Sequence, residues 1–194
     1  MLDLGIAERP KIGATISGDS YYVKENESTA LIAVIDGLGG GEAAAEAAKK
    51  AYDAIDNLAE RPLSMIMQAA HTACVGTRGA VVGLLRLDYA QHEASYVGVG
   101  NIGIHVVSRH VIKPLSRNGI VGYRMPTLME HKAQYDAGDT FILFSDGISV
   151  RFSESPLMHE TLAPQALADR VLETFGKDID DATIVVVRTQ RVTP

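Results

Sequence analysis

The chain has 194 residues, 46% of them hydrophobic and 22% charged, an ordinary globular mixture that can close a core without staples. Its formal net charge of −6 removes the electrostatic case for nucleic acid or an anionic membrane as partner. The single cysteine, Cys74, excludes an intramolecular disulfide and suits a reducing compartment.

One domain spanning residues 1–194 is expected, in the cytoplasm. The start, Met1-Leu2-Asp3-Leu4-Gly5, lacks the basic region of a signal peptide. No apolar run approaches the roughly 18 residues that a membrane span needs.

Residues 2–8 and about 12–16 read as short strands, interrupted by Arg9-Pro10. Residues 20–24 and 30–35 read as two more, joined by a polar turn. The second of these, Ala30-Leu31-Ile32-Ala33-Val34-Ile35, is continuously apolar, as expected of a strand buried on both faces. A glycine loop, residues 37–41, leads to a predicted helix over 42–58, rich in alanine and with an acid in its first turn. Ala43, Ala44, Ala47, Ala48 and Ala51 give that helix a small-residue face for close packing. A second helix is predicted from about Leu63 to Val75, and within it Cys74 reads as a buried structural thiol.

From Gly79 the pattern turns to strands, over 80–86, 93–99, 103–107 and 110–115. The last two read as a hairpin turning at Ser108-Arg109. Residues 116–130 look irregular. Strands over about 131–136 and 140–145 follow, then a helix over 164–175 with proline at its start, then a closing strand over 183–189. Grouped helices among long antiparallel stretches indicate an α+β layered fold, a two-sheet sandwich flanked by helices.

Four short acidic motifs punctuate this order: Ser17-Gly18-Asp19-Ser20, Asp36-Gly37-Leu38-Gly39-Gly40-Gly41, Ser145-Asp146-Gly147 and Asp180-Asp181-Ala182-Thr183. Each acid sits at the edge of an apolar run, where it must be solvated, paired or bound to a metal. Each also has a plainer reading: Asp19 and Asp146-Gly147 as turns, Asp36 as a helix cap, Asp180-Asp181 as a solvated loop. Together they describe an oxygen-rich site for hard divalent cations. Two such cations about 4 Å apart can activate water for in-line attack on phosphorus. A glycine beside an acid lets the backbone approach. The six histidines, at 71, 92, 105, 110, 131 and 159, are too scattered to suggest zinc.

In this order and spacing the motifs resemble the PPM family of metal-dependent serine/threonine phosphatases, often called type 2C. The similarity runs from about residue 12 to 189, and residues 138–147 are especially similar to the short bacterial branch of SpoIIE, RsbU and RsbX phosphatases. The resemblance implies an antiparallel β-sandwich between helix layers, α-β-β-α, without a flap subdomain. It implies two Mn²⁺ or Mg²⁺ ions bridged by Asp36. Asp19 and the carbonyl of Gly37 would complete one site, and Asp146 and Asp180 the other. Asp36 and Asp146 would be the catalytic core, with Asp180 ranked above Asp181, and water would attack a phosphoserine or phosphothreonine directly.

The family's phosphate-gripping arginine has no matching motif here, although Arg9 and Lys11 precede Asp19. The family's Gly-Asp-Ser-Arg segment reads Gly100-Asn101-Ile102-Gly103, which speaks against a third metal. Size and an open site point to the RsbX type, whose substrates are phosphorylated STAS-domain proteins of the stressosome, a bacterial stress-signalling complex. A monomer is expected. Two rival readings are a pseudophosphatase acting as a binding module and a nucleotide site at residues 37–41. The second fits poorly: Glu42 stands where a G-x-G-x-x-G pattern needs glycine. Arg117 and Arg124, in the irregular segment, are candidates for phosphate or protein docking.

Overall fold

The computed structural model describes residues 2–190. The ends of the expected 1–194 domain, residue 1 and residues 191–194, lie outside the described residues. In chain order the elements are β1 (Leu2–Arg9), β2 (Asp19–Glu25), β3 (Thr29–Gly37), α1 (Glu42–Asn57), α2 (Leu63–Cys74), β4 (Ala80–Asp88), β5 (Glu93–Val99), β6 (Gly103–Val107), β7 (His131–Gln134), β8 (Thr140–Phe144), α3 (Pro164–Phe175) and β9 (Ala182–Thr189). Two short 3-10 turns, Val150–Glu154 and Pro156–His159, precede α3.

The strands form two antiparallel sheets, ordered β1-β9-β8-β6 and β2-β3-β4-β5-β7. Side chains alternate across a strand, so a strand between two layers must be apolar on both faces. In β3, Leu31, Ala33 and Ile35 point toward α1 and α2, where they meet Ile55, Ile66 and Met67. Ala30, Ile32 and Val34 point the other way, into the space between the sheets, with Phe141, Leu143, Val185 and Val187. On the far side, Ile142 and Phe144 of β8 and Ile184 and Val186 of β9 meet Leu167, Ala168 and Val171 of α3. The result is the expected helix-sheet-sheet-helix order.

Helix α1 buries Ala44, Ala47, Ala48 and Ala51 against its sheet. This packing is so close at Gly37 that any side chain there would collide with the Ala44 carbonyl. Cys74 is buried, and burial pushes its thiol up to about 11, which suits a packed group rather than a nucleophile. Among the described residues no helix is long and apolar enough to cross a membrane.

Two predicted strands do not form. Residues 10–18 make turns and bends instead of a strand over 12–16, with Ile12 70% exposed. The segment joins neither sheet; it is held instead by the Lys11 and Gly18 amides, which donate to Asp181, and by the Ile12 amide, which donates to the Asp178 carbonyl. Residues 110–115 are not the second arm of a hairpin. Instead Ile112 and Pro114 help line a small cavity with Leu85, Tyr96 and Phe141, at the open side between edge strands β6 and β7. Pro114, which has no backbone N–H, suits this course better than a ladder.

Candidate active site

All four acidic motifs lie at one end of the sandwich. Asp19 opens β2 and Asp36 ends the run of β3, and the two are direct partners in the antiparallel register. Asp36 has the parity of Ile32 and Val34, so its side chain is on the face toward the opposite sheet. That opposite sheet supplies Asp146, just after β8, and Asp180, just before β9. Strand parity in one sheet and strand ends in the other therefore bring four distant acids together.

Glycine is required around them. A side chain at Gly147 would collide with the Asp181 carbonyl, and one at Gly18 would press on Ala44 of α1 and on Asp181. The amide of Gly37 donates to the carbonyl of Gly18 at 3.0 Å, and that of Leu38 to Gly79 at 3.0 Å, fixing the loop that leaves Asp36. The cap of α1 is Gly41, in the left-handed region at φ 68° and without a side-chain cap bond. Asp36 is thus not a helix cap.

The electrostatics are those of crowded anions. Burial raises the Asp36 carboxyl to about 8, and the charges of Asp19, Asp146, Asp180 and Asp181 push it the same way. Burial raises Asp19 to about 7, opposed by a hydrogen bond from Ser145 and reinforced by Asp181 and Asp146. The Thr183 hydroxyl also favours the Asp19 anion, although among the described residues it makes no hydrogen bond of normal geometry. Asp146 is raised by burial and then by Asp180, and lowered by Lys177 and Asn101. Among the described residues, none of the five carboxylates forms an ion pair with a lysine or arginine.

The neighbours divide the acids by task. Asp181 is buried and fully engaged: Oδ1 accepts from the Lys11 amide at 2.9 Å and Oδ2 from the Gly18 amide at 2.7 Å. It ties the 10–18 segment to the start of β9. The Asp180 carboxylate accepts the adjacent Asp181 amide at 3.1 Å and lies beside the Asp146 carboxyl, whose proton affinity it raises. Ser145 donates to Asp19 at 2.6 Å and accepts from the Thr183 amide at 3.0 Å, joining both sheets. Asn101 donates to Asp146 Oδ2 at 2.6 Å, and Lys177 to the Asp146 carbonyl at 2.5 Å.

Among the described residues no three His, Cys, Asp or Glu side chains stand in a group that could hold a metal ion as they are placed. An all-oxygen donor set with excess negative charge fits Mg²⁺ or Mn²⁺.

Sequence reasoning missed Asn101 as a partner of Asp146, although its segment was singled out. It also missed Ser145 and Lys177, whose contacts span 126 and 31 residues. Other polar side chains are engaged elsewhere. Tyr22 bonds Asp56 and Arg86 caps carbonyls at Ala59 and Arg61. His71 accepts from the Gly122 amide, His105 packs on Phe152, and His110 meets Asp136. Arg117 and Arg124 are exposed.

The family model for Stage II sporulation protein E (SpoIIE) matches residues 26–190. The chain belongs to the SpoIIE family. It is 31% identical over 142 residues to the phosphoserine phosphatase RsbX of Bacillus subtilis (strain 168), covering 72% of this chain and 71% of that protein. A structure from work on the bacterial stressosome as a modular system controlling secondary messenger signalling superimposes with a TM-score of 0.92. It shares 35% identity and covers 97% of this chain and 100% of that one. The magnesium complex of RsbX shares the fold at a TM-score of 0.86 and 24% identity, covering 97% of this chain and 96% of that one. This SpoIIE-family chain is a type 2C serine/threonine phosphatase, and the resemblance read from its motifs is borne out.

Proposed function

We propose that this phosphatase works with two divalent cations, Mn²⁺ or Mg²⁺, held by Asp19, Asp36, the Gly37 carbonyl, Asp146 and Asp180. The observation that carries this reading is the in-register pair Asp19–Asp36, raised by burial and facing the sheet that bears Asp146 and Asp180. Asp36, whose carboxyl feels the charges of all four other acids, would serve both cations. Asp181 is a positioning residue, since its oxygens are taken by two backbone amides. When bound, the cations would supply Lewis acidity and an activated water for hydrolysis of the phosphoester. The magnesium complex of a relative with the same fold supports the metal class.

Its substrate is a phosphorylated serine or threonine on a stressosome protein of the STAS-domain type, and its place is the cytoplasm. Similarity to RsbX and to the stressosome structure supports the first. The lone buried thiol supports the second. Hydrolysis of p-nitrophenyl phosphate and of a phosphoserine protein is expected to require Mn²⁺ or Mg²⁺ and to vanish in EDTA. Full turnover in chelator would end the two-cation reading.

A further inference from the structure

We infer that Lys11 and Arg78 hold the phosphoryl group of the substrate, an assignment that rests on the metal site proposed above. Both cationic heads lie on the glycine loop that leaves Asp36. A methyl group added at Gly39 would collide with the Arg78 guanidinium, and one added at Gly40 with the Lys11 ammonium. Gly39 also sits at φ 95°, a conformation that side chains avoid. The loop thus leaves room for two cations where larger residues would displace them.

The stems of both residues are anchored. The Lys11 amide donates to Asp181 at 2.9 Å, and the next amide, of Ile12, donates to the Asp178 carbonyl at 2.9 Å. Arg78 lies between Thr77, whose hydroxyl bonds the Cys74 carbonyl at 2.6 Å, and Gly79, whose carbonyl takes the Leu38 amide at 3.0 Å. The heads, in contrast, are free. Among the described residues neither has a carboxylate partner, whereas nearby Arg9 is paired with Asp178 at 3.1 Å.

The chemistry asks for such a pair. With two divalent cations bound, positive charge would already face the phosphomonoester dianion, and cationic heads on the adjoining glycine loop would add donors for its remaining oxygens. Arginine supplies planar paired donors for phosphate oxygens and lysine a compact charge. Position beside the Asp36 loop assigns them.

The test uses the full chain with Mn²⁺, p-nitrophenyl phosphate as substrate and inorganic phosphate as the probe. Lys11→Gln and Arg78→Gln are each expected to raise KM and the phosphate inhibition constant about tenfold or more, the weight of a charge-assisted hydrogen bond. The Mn²⁺ activation constant should not move, and Arg78→Lys and Lys11→Arg should recover part of the loss. Calorimetric titration of phosphate into wild type and the double variant gives a reading independent of turnover. Equal phosphate affinity in the two would overturn the inference, as would losses matched by a shifted Mn²⁺ constant. Metal-independent turnover by the wild type would instead refute the site reading, with the phosphate titration still judging the two cations.

Discussion

The two carboxylate pairs of the proposed metal site are held in different ways. Asp19 and Asp36 are strand residues, locked opposite each other by the β2–β3 ladder. They cannot move apart without breaking backbone hydrogen bonds, and like charges in that relation repel. Asp146 and Asp180 sit on turns outside β8 and β9, where Asn101 and Lys177 share the load on Asp146. The strand-borne pair is therefore the rigid, charge-starved half of the site, and the turn-borne pair the adjustable half.

Asp36→Asn breaks the comparison most severely. Turnover should fall by more than the roughly 100-fold that outer-shell changes cost at metal sites. The same variant should alter metal-free stability. A carboxyl raised from 3.8 to about 8 binds its proton more tightly in the folded state than in the unfolded one. Its stabilisation is complete below the lower value and is lost as pH rises toward about 8. In EDTA the wild-type melting temperature should thus decline across this window, and Asp36→Asn should flatten the decline. A wild-type melting temperature that climbs there would contradict the charge-starved pair.

Asp180→Ala and Asp181→Ala sharpen the contrast between neighbours. The first should abolish most turnover with little change in melting temperature. The second strands two amide donors, each costing about 1–3 kcal/mol. That corresponds to a drop of roughly 2–4 °C per kcal/mol for a chain of this size. The reverse pattern in paired activity and melting assays would exchange their roles.

Asn101→Ala should have the smallest effect, about tenfold on turnover, because it removes only a donor that orients Asp146. The fold should be unaffected, since Asn101 is exposed. Unchanged turnover and Mn²⁺ activation would remove Asn101 from the site.

Much of this was legible in the chain. The continuous apolar run at 30–35 announced a strand with two buried faces, and alternation in the structure divides it as expected between the helices and the other sheet. Acid-glycine motifs at strand ends announced the acids that the two sheets bring to one end. The stretches at 12–16 and 110–115 misled because their apolar, β-branched composition says nothing about whether a free sheet edge lies alongside. Ile112 and Pro114 use the same apolar character to line a cavity mouth instead.

Local chemistry alone determined the strand faces, the helices and the positions of the acids, since periodicity and glycine act over a few residues. Tertiary structure decided the rest. Asp181 became an anchor because amides 170 and 163 residues away in sequence reach it. Lys11 and Arg78 came to one loop because two sheets end at the same place. Hydrogen bonds and charges act through space, so contacts across such separations have no signature in the spacing of residues.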